Sequence, residues 1–244
     1  MKQIQIKNLQ PLPYRSKEAI NRLRVNLSFC GTQYKRIMVT SSVPGEGKSF
    51  TTVNLWRAMA EAGKHVLLID ADVRRSALRT RYQMSVGKEQ PAVGLVSYLA
   101  GQASLEDVIY STDFPGADII PIFRNLVNPT LLLNSPNFGT MMDALAERYD
   151  YILIDTPPLD SVSDGLQIAQ HCDGALLVVH CGVTPRKLVD NSIKQLETVG
   201  CPLVGTALNQ VEMRKASYYY RYSRYGYYNR YYRYYHSDTA EKNK

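Results

Sequence analysis

The nine residues Ser41-Ser42-Val43-Pro44-Gly45-Glu46-Gly47-Lys48-Ser49 decide the fold of this chain. They follow an apolar run, Arg36–Thr40, that predicts a strand, and they open a helical pattern over Lys48–Ala62. A glycine-rich turn between a strand and a helix lets backbone N–H groups close on phosphate oxygens, and the helix adds its positive end. We therefore predict a phosphate-binding loop over Ser41–Ser49, called the phosphate loop below.

The usual phosphate-loop pattern, GxxxxGK[ST], fails at one position because Ser42 stands where its first glycine is expected. The other positions fit: Lys48 would reach the β- and γ-phosphates of a nucleotide, and the Ser49 hydroxyl would bind Mg²⁺. A glycine-rich turn without any ligand is the alternative, and two acidic motifs further along the chain argue against it. The residues expected to touch the nucleotide are Pro44, Gly45, Glu46, Gly47, Lys48, Ser49 and Phe50.

Two further apolar strands end in aspartate. Asp70 and Asp72 follow the run that starts at Val66, and Asp155 ends the run that starts at Tyr151. In parallel sheets ligands bind at the carboxyl ends of strands, so these acids should lie beside the phosphate loop. Phosphoryl transfer needs an anchored metal ion and a group that takes the proton of the attacking hydroxyl.

We expect Asp155, with Ser49, to hold the metal ion, in the case of Asp155 through water. Asp70 and Asp72 share metal contact and activation of the attacking hydroxyl, with Asp70 favoured for the metal ion and Asp72 favoured as the proton acceptor. Lys48, Asp70, Asp72 and Asp155 are thus the predicted catalytic residues. Arg74 could either orient a phosphate or pair with a nearby carboxylate, and the sequence favours neither. A single aspartate at a strand end is commonly a helix or turn cap, but three of them beside a Gly-Lys-Ser turn are hard to explain in that way.

Apolar runs rich in β-branched residues alternate with helical patterns along the chain, which predicts an α/β fold with a mostly parallel sheet covered on both faces. The predicted strands are Arg36–Thr40, His65–Asp70, Asp118–Ile122, Tyr151–Asp155, Ala175–His180 and Leu203–Leu208. The predicted helices are Ser16–Phe29, Lys48–Ala62, Leu95–Ala100, Leu132–Arg148, Asp164–Gln170 and Pro185–Val199, with glycines at 63, 101 and 200 as helix ends. We expect one domain over residues 1–212, which begins with a leading helical segment at 1–30, and a tail over 213–244.

The bulk composition excludes several classes of protein. The chain has 244 residues, 45% of them hydrophobic and 21% charged, as in an ordinary water-soluble globule. No run approaches the roughly 18 apolar residues of a membrane span, and the polar start at 1–8 lacks the apolar core of a signal peptide. The four cysteines show neither CxxC nor Cys/His metal spacing. We expect a cytoplasmic protein with reduced thiols.

The tail differs in composition from the rest of the chain. From residue 213 onward eight Lys/Arg stand against two acids, a balance of +6 out of a total of +7. The stretch 218–235 has four arginines and no Leu, Ile or Val, and we predict that it is disordered. Its eleven tyrosines are the candidate phosphoacceptors: Tyr218, Tyr219, Tyr220, Tyr222, Tyr225, Tyr227, Tyr228, Tyr231, Tyr232, Tyr234 and Tyr235.

In combination, residues 42–49, Asp70-Ala71-Asp72-Val73-Arg74, Asp155-Thr156-Pro157-Pro158 and the terminal tyrosines resemble the bacterial tyrosine kinases of capsular and exopolysaccharide synthesis. The resemblance spans nearly the whole chain, including Gly94–Gly101 and Asn128-Pro129. It implies a three-layer P-loop NTPase of the MinD/ParA type that uses ATP and Mg²⁺ to phosphorylate tyrosine, with Asn209 placed against adenine. A turn-forming role for Asn209 is an equal alternative.

The resemblance also implies partners: a membrane-anchored chain-length regulator that activates the kinase and holds it at the inner face of the membrane, a counteracting tyrosine phosphatase, and sister subunits in a ring that phosphorylate one another's tails. We expect the chain to act as a separate subunit. The family's leading helix carries Glu-x-x-Arg-x-x-Arg for ring assembly. Glu18 and Arg24 match this motif, while Asn21 replaces its first arginine and Arg22 lies next to it. Phe123 and Leu131 stand near positions where the family has Gly and Glu.

Three other functions compete with this one. A ParA/MinD-type ATPase would carry a second lysine five residues before Lys48, where this chain has Val43. A nucleic-acid or membrane-binding module could use the basic, aromatic tail, but such a module does not need the nucleotide motifs. A catalytically dead scaffold would have lost chemistry residues, and these are all present. We therefore predict an ATP-dependent protein-tyrosine kinase and expect no nucleic-acid partner.

Overall fold

The computed structural model describes residues 2–87, 92–127 and 129–211. The strands of this described part form one nine-stranded sheet in the order β4-β1-β5-β6-β3-β7-β2-β8-β9. Its strands are β1 Lys2–Ile6, β2 Arg36–Ser41, β3 Val66–Asp70, β4 Met84–Val86, β5 Tyr110–Ser111, β6 Ala117–Ile120, β7 Tyr151–Asp155, β8 Gly174–His180 and β9 Leu203–Asn209. The helices are α1 Tyr14–Phe29, α2 Lys48–Glu61, α3 Leu78–Arg81, α4 Leu95–Leu99, α5 Leu105–Val108, α6 Thr130–Leu133, α7 Pro136–Ala146, α8 Asp164–Ala169 and α9 Arg186–Thr198.

The six strands from β6 to β9 in this order are all parallel to their neighbours. Antiparallel pairing occurs toward the other edge, between β1 and β4 and between β5 and β6. The predicted mostly parallel α/β sheet is therefore confirmed. In the centre of the sheet β7 lies between β3 and β2, so the strand that leads into the phosphate loop is two positions away from the strand that ends in Asp70.

Alternate residues of the central strands pack on opposite faces of the sheet, which gives three layers. On one face Leu68 shares a buried cluster with Leu27 of α1 and Trp56 of α2. On the other face Leu67 and Ile69 pack in a second cluster with residues of α7 and α8. Strands that are covered on both faces need apolar residues at successive positions, which explains the continuous apolar runs in the sequence.

Three differences from the sequence prediction have clear local causes. The strands β1, β4 and β5 were missed; β1 contains the alternating residues Ile4 and Ile6, and Ile4 is fully buried. The predicted helix Leu132–Arg148 is wrong as a single helix, because Pro136 begins the new helix α7 after α6 has ended. The leading helix begins at Tyr14, directly after Pro13, rather than at Ser16.

The chain divides into two units, Met1–Asn209 and Gln210–Lys244. The first contains all the strands and helices named above. Of the second only Gln210 and Val211 are described, so the predicted tail and its tyrosines lie outside the described residues. Within the described part, no helix combines the length and apolar character needed to cross a membrane.

Candidate active site

The phosphate loop joins the end of β2 to the start of α2. Gly45 and Gly47 have φ values of +86° and +94°, a backbone conformation that other residues rarely adopt. A Cβ added at Gly45 would meet no atom within 4 Å, so the space above the loop is open at this point. Residues 44 and 45 are exposed, whereas Ser41 and Ser42 at the base are buried. The loop thus presents its backbone around an open concavity at the carboxyl edge of the sheet.

The side chain of Glu46, one of the residues predicted to contact the nucleotide, is buried and binds other groups of the protein. Its side chain is only 1% exposed. One carboxylate oxygen, Oε2, accepts a hydrogen bond from the Val43 N–H at 2.9 Å. The other, Oε1, accepts one from the His180 N–H at 3.0 Å and one from the Thr184 hydroxyl. Glu46 therefore ties the loop both to itself and to the end of β8.

Two more side chains fix the loop. The Ser42 hydroxyl lies 2.9 Å from that of Ser192 in α9, and both serines are buried. This contact accounts for the serine at the position of the usual first glycine. Asn209, at the end of β9, donates from Nδ2 to the Glu46 carbonyl oxygen at 2.9 Å. The structure thus places the Asn209 side chain against the loop backbone.

The acidic residues meet the phosphate loop as the strand order requires. Asp70 and Asp155 lie opposite each other in the register of β3 and β7. Lys48 Nζ donates to Asp72 Oδ2 at 3.0 Å and lies 3.4 Å from Ser49 Oγ. The Ser49 hydroxyl lies near enough to Asp155 to lower the pKa of that carboxyl group. The predicted catalytic residues are therefore brought together around the end of the Lys48 side chain.

The charges of the buried side chains in this cluster are not balanced. Burial, and then the neighbouring charge of Asp155, raises the pKa of Asp70 well above its usual range. Burial likewise raises the pKa of Asp155, against the opposing effect of Lys48. Burial alone would lower the pKa of Lys48, but the carboxylates of Asp155, Asp72 and Asp70 raise it above the usual lysine value. The site holds more negative charge than one lysine neutralises.

A divalent cation fits this excess of negative charge. Asp70 Oδ1 is buried and has no hydrogen-bond partner, while Asp70 Oδ2 accepts one from the Ser76 hydroxyl. Among residues 2–87, 92–127 and 129–211, however, no three His, Cys, Asp or Glu side chains are placed to enclose a metal ion by themselves. Mg²⁺ binds through one or two carboxylates, together with waters and substrate phosphates. The residues present fit such an ion.

Arg74 pairs with a carboxylate, one of its two expected roles. Its guanidinium binds both carboxylate oxygens of Asp164, through Nη2 at 3.0 Å and through Nε, and donates to the Val127 carbonyl oxygen at 2.8 Å. The Asp164 side chain is fully buried. The sequence did not single out Asp164, and only its position at the start of a helical pattern could have drawn attention to it.

The remaining predicted site residues are Phe50 and three residues of α1. Phe50 is in the first turn of α2, with the Arg81 guanidinium 5.9 Å from its ring centre. On α1, Arg22 is exposed and Glu18 and Arg24 are half-buried. The residues that sequence reasoning missed are Ser76, which binds Asp70, and Thr52, whose hydroxyl lies 3.4 Å from Asp155 Oδ1. Thr52 follows Lys48 by one helical turn, a spacing that could have indicated it.

Comparison with known proteins agrees with this geometry. Residues 34–196 match a family model described as an AAA domain. A tyrosine-protein kinase of Streptococcus agalactiae, CpsD, is 37% identical over 204 residues, which cover 84% of this chain and 86% of that protein. The kinase domain of the Escherichia coli tyrosine kinase ETK superposes with a TM-score of 0.73 at 32% identity, covering 81% of this chain and 76% of that one.

A more distant likeness concerns the fold. The septum site-determining protein MinD from Pyrococcus horikoshii, solved with Mg-ADP, has a TM-score of 0.58 at 26% identity, over 71% of this chain and 69% of MinD. The resemblance inferred from the motifs is thus confirmed for both family and fold. This chain belongs to the family of bacterial tyrosine-protein kinases, built on a MinD-like P-loop domain of the AAA type.

Proposed function

We propose that this chain transfers the γ-phosphoryl group of ATP to tyrosine hydroxyls in its own C-terminal tail or in that of a sister subunit. The observation that supports this most strongly is the 3.0 Å pair between Lys48 of the phosphate loop and Asp72, beside the opposed Asp70 and Asp155. In a tyrosine-kinase family, a chain with this cluster and eleven tyrosines within residues 218–235 carries both the machinery and a substrate.

The phosphate loop binds the triphosphate through its backbone N–H groups and Lys48. Glu46 and Asn209 keep the loop in shape, so little ordering is needed when the nucleotide binds. Residues 44–50 surround the phosphates in this proposal. Because Lys48 already lies close to the acidic strand ends, the γ-phosphate it contacts is held next to the group that takes the proton.

Ser49, Asp70 and Asp155 would hold Mg²⁺, which when bound neutralises charge on the β- and γ-phosphates. Asp72 is the proposed proton acceptor because it is the least buried of the three aspartates, 7% exposed against 1% for each of the others. A tyrosine hydroxyl has a pKa near 10, so it needs a carboxylate at hydrogen-bond distance as it attacks. Asp72 orients the hydroxyl and receives its proton.

Transfer in trans is the form we propose. A stretch of eighteen residues spans at most about 60 Å, which is enough to reach a neighbouring subunit. Ring assembly would use Glu18, Arg22 and Arg24 of α1. Phosphorylation then regulates the synthesis and export of a capsular or extracellular polysaccharide. It does so together with a membrane-anchored chain-length regulator that keeps the kinase at the inner face of the membrane, and a tyrosine phosphatase resets the tail.

A mixing experiment tests both the reaction and its direction. One full-length chain carries Lys48→Met and can only accept phosphate; the other carries phenylalanine at all eleven tail tyrosines and can only donate. With Mg·ATP, alone and with the membrane regulator, phosphotyrosine should appear on the Lys48→Met chain. Label on neither chain, while the wild-type chain labels itself, would show transfer in cis. No label on the wild-type chain under either condition would refute the proposed reaction.

A further inference from the structure

A cavity lies beside the acidic cluster, and none of its lining residues belongs to the phosphate loop. Its volume is about 170 Å³. One wall comes from the connection between β3 and β4, and the other from the segment that follows β6. The lining residues are Ser76, Arg79, Thr80, Ile122, Phe123 and Asn125. Arg79, Thr80 and Asn125 can donate hydrogen bonds to a ligand, and none of the lining residues is a carboxylate, so the cavity suits a ligand that is rich in acceptor oxygens.

Ser76 connects this cavity to the candidate active site. Its hydroxyl donates to Asp70 Oδ2, so a group in the cavity lies one side chain away from the acidic cluster. The residues that line the cavity come from the β3–β4 connection and from the segment after β6, and none of them comes from the phosphate loop. A ligand in the cavity would therefore leave the nucleotide position free.

Arginines without carboxylate partners lie on the two segments that form the cavity, and Arg79 lines it. Arg75, Arg79, Arg81 and Arg124 are exposed, and none of them is ion-paired to a carboxylate within the described part of the chain. Arg74 close by is different, because Asp164 neutralises it. These two segments, called the arginine rim below, thus keep a positive charge that attracts anions.

The cavity also has an aromatic wall. Phe123 is half-buried and packs edge-on against Tyr110 at 5.9 Å between ring centres. The Arg79 guanidinium lies 5.8 Å from the Phe123 ring centre. An aromatic ring can pack against Phe123 while an anion on that ring meets the arginine. The hydroxyl, amide and guanidinium donors match the phosphate of a phosphotyrosine side chain, and the phenyl group of Phe123 matches its ring.

We propose that this cavity is a phosphotyrosine-binding site, which holds a tail tyrosine that is already phosphorylated while a neighbouring hydroxyl enters the active site. The source of the ligand rests on the proposed function; the site itself does not. An unmodified tail carries +6 and is repelled by the arginine rim, whereas each phosphate adds roughly −1.5 to −2 charges and reverses the interaction locally. The site would thus retain a tail between successive transfers.

Binding of ready-made peptides tests the site without using kinase activity. The probes are fluorescent peptides with the sequence of residues 224–232 that carry tyrosine, phosphotyrosine or phosphoserine at position 228. They are titrated against the full wild-type chain in Mg·ADP, which occupies the phosphate loop and allows no transfer. We expect the phosphotyrosine peptide to bind at least about tenfold more tightly than the tyrosine peptide, as a charge-assisted arginine contact predicts.

Arg79→Gln and Thr80→Val should each weaken binding of the phosphotyrosine peptide, Arg79→Gln by about tenfold, and change that of the tyrosine peptide less than about twofold. Arg148→Gln is the control for loss of an exposed arginine, because Arg148 lies before the start of β7, at the amino ends of the parallel strands, and pairs there with Glu106. Equal affinity for the phosphotyrosine and tyrosine peptides would overturn the proposal. So would an equal loss in Arg148→Gln, or equal affinity for the phosphoserine peptide, which would indicate attraction by charge alone. A chain that binds the phosphopeptide but never labels its own tail would refute the proposed function and leave this site standing.

Discussion

Replacing Glu46 by alanine tests the claim that this buried carboxylate, rather than the loop sequence alone, gives the phosphate loop its shape. Glu46 accepts hydrogen bonds from the Val43 and His180 N–H groups and from the Thr184 hydroxyl. Alanine removes the acceptor from all three. The loop then loses its tie to β8, and we expect weaker nucleotide binding together with lower stability.

The size of the effect follows from the number of hydrogen-bond donors that are left without an acceptor. The Thr184 hydroxyl can rotate to another acceptor, but the two backbone N–H groups cannot. An unsatisfied buried donor costs about 1–3 kcal/mol, so Glu46→Ala should lower the free energy of unfolding by about 2–6 kcal/mol. Glu46→Gln keeps one acceptor oxygen and should cost about half as much. For a domain whose total stability is roughly 5–15 kcal/mol, even the lower figure is readily measured.

The assay is urea unfolding followed by the fluorescence of Trp56, the single tryptophan, which lies in α2 and is fully buried. Glu61→Gln is the control, because its pair with Arg57 is exposed and should be worth less than about 1 kcal/mol. ADP titration of the same variants measures the loop directly. If the free energy of unfolding of Glu46→Ala stays within about 1 kcal/mol of the wild-type value and the variant binds ADP equally well, the role given to Glu46 in holding the phosphate loop is wrong.

Three further substitutions have expected outcomes. Asp70→Asn should stabilise the metal-free protein at pH 8. The folded pKa of Asp70 is raised above its unfolded value near 4, so the wild-type protein loses stability as the pH rises from the unfolded to the folded pKa. In EDTA, the melting temperatures of the wild type and Asp70→Asn should therefore become equal as the pH falls to 4. Asp164→Asn removes the charge that Arg74 binds and should lower the free energy of unfolding by about 1–3 kcal/mol, measured in urea against the Glu61→Gln control. Ser42→Gly restores the usual loop pattern and yet should destabilise by about 1–3 kcal/mol, because the buried Ser192 hydroxyl loses its partner; a gain in stability would contradict this.

The centre of the fold could be predicted from the sequence because its signals are local. Strands β2, β3, β7 and β8 are continuous apolar runs between helical patterns, and burial on both faces produces such runs. The edge of the sheet was not predictable in this way. β5 has only two residues and β4 three, so neither shows a period. β1 alternates correctly, but five residues near a terminus do not reveal that they pair with residues about a hundred positions away.

The residues of the candidate site also divide into those with a local sequence signal and those without one. Lys48, Ser49, Asp70 and Asp155 were predictable because a motif and a strand end each have a characteristic local sequence. The brace formed by Glu46 with His180 and Thr184 joins residues more than 130 positions apart, and only the folded chain brings them together. The role of Arg74 could not be assigned from sequence, since a guanidinium can bind either a phosphate or a carboxylate. Its partner Asp164 lies ninety residues away.

The most direct test of the central claim, that the Lys48 and aspartate cluster phosphorylates terminal tyrosines, is the intact mass of the full-length protein after incubation with Mg·ATP and the membrane regulator, followed by mapping of the modified residues. We predict several added phosphates on the wild-type chain, all within residues 218–235, and none on Lys48→Met or Asp72→Asn. An unmodified wild-type chain would contradict the claim. So would phosphate on the Lys48→Met chain in the same amount.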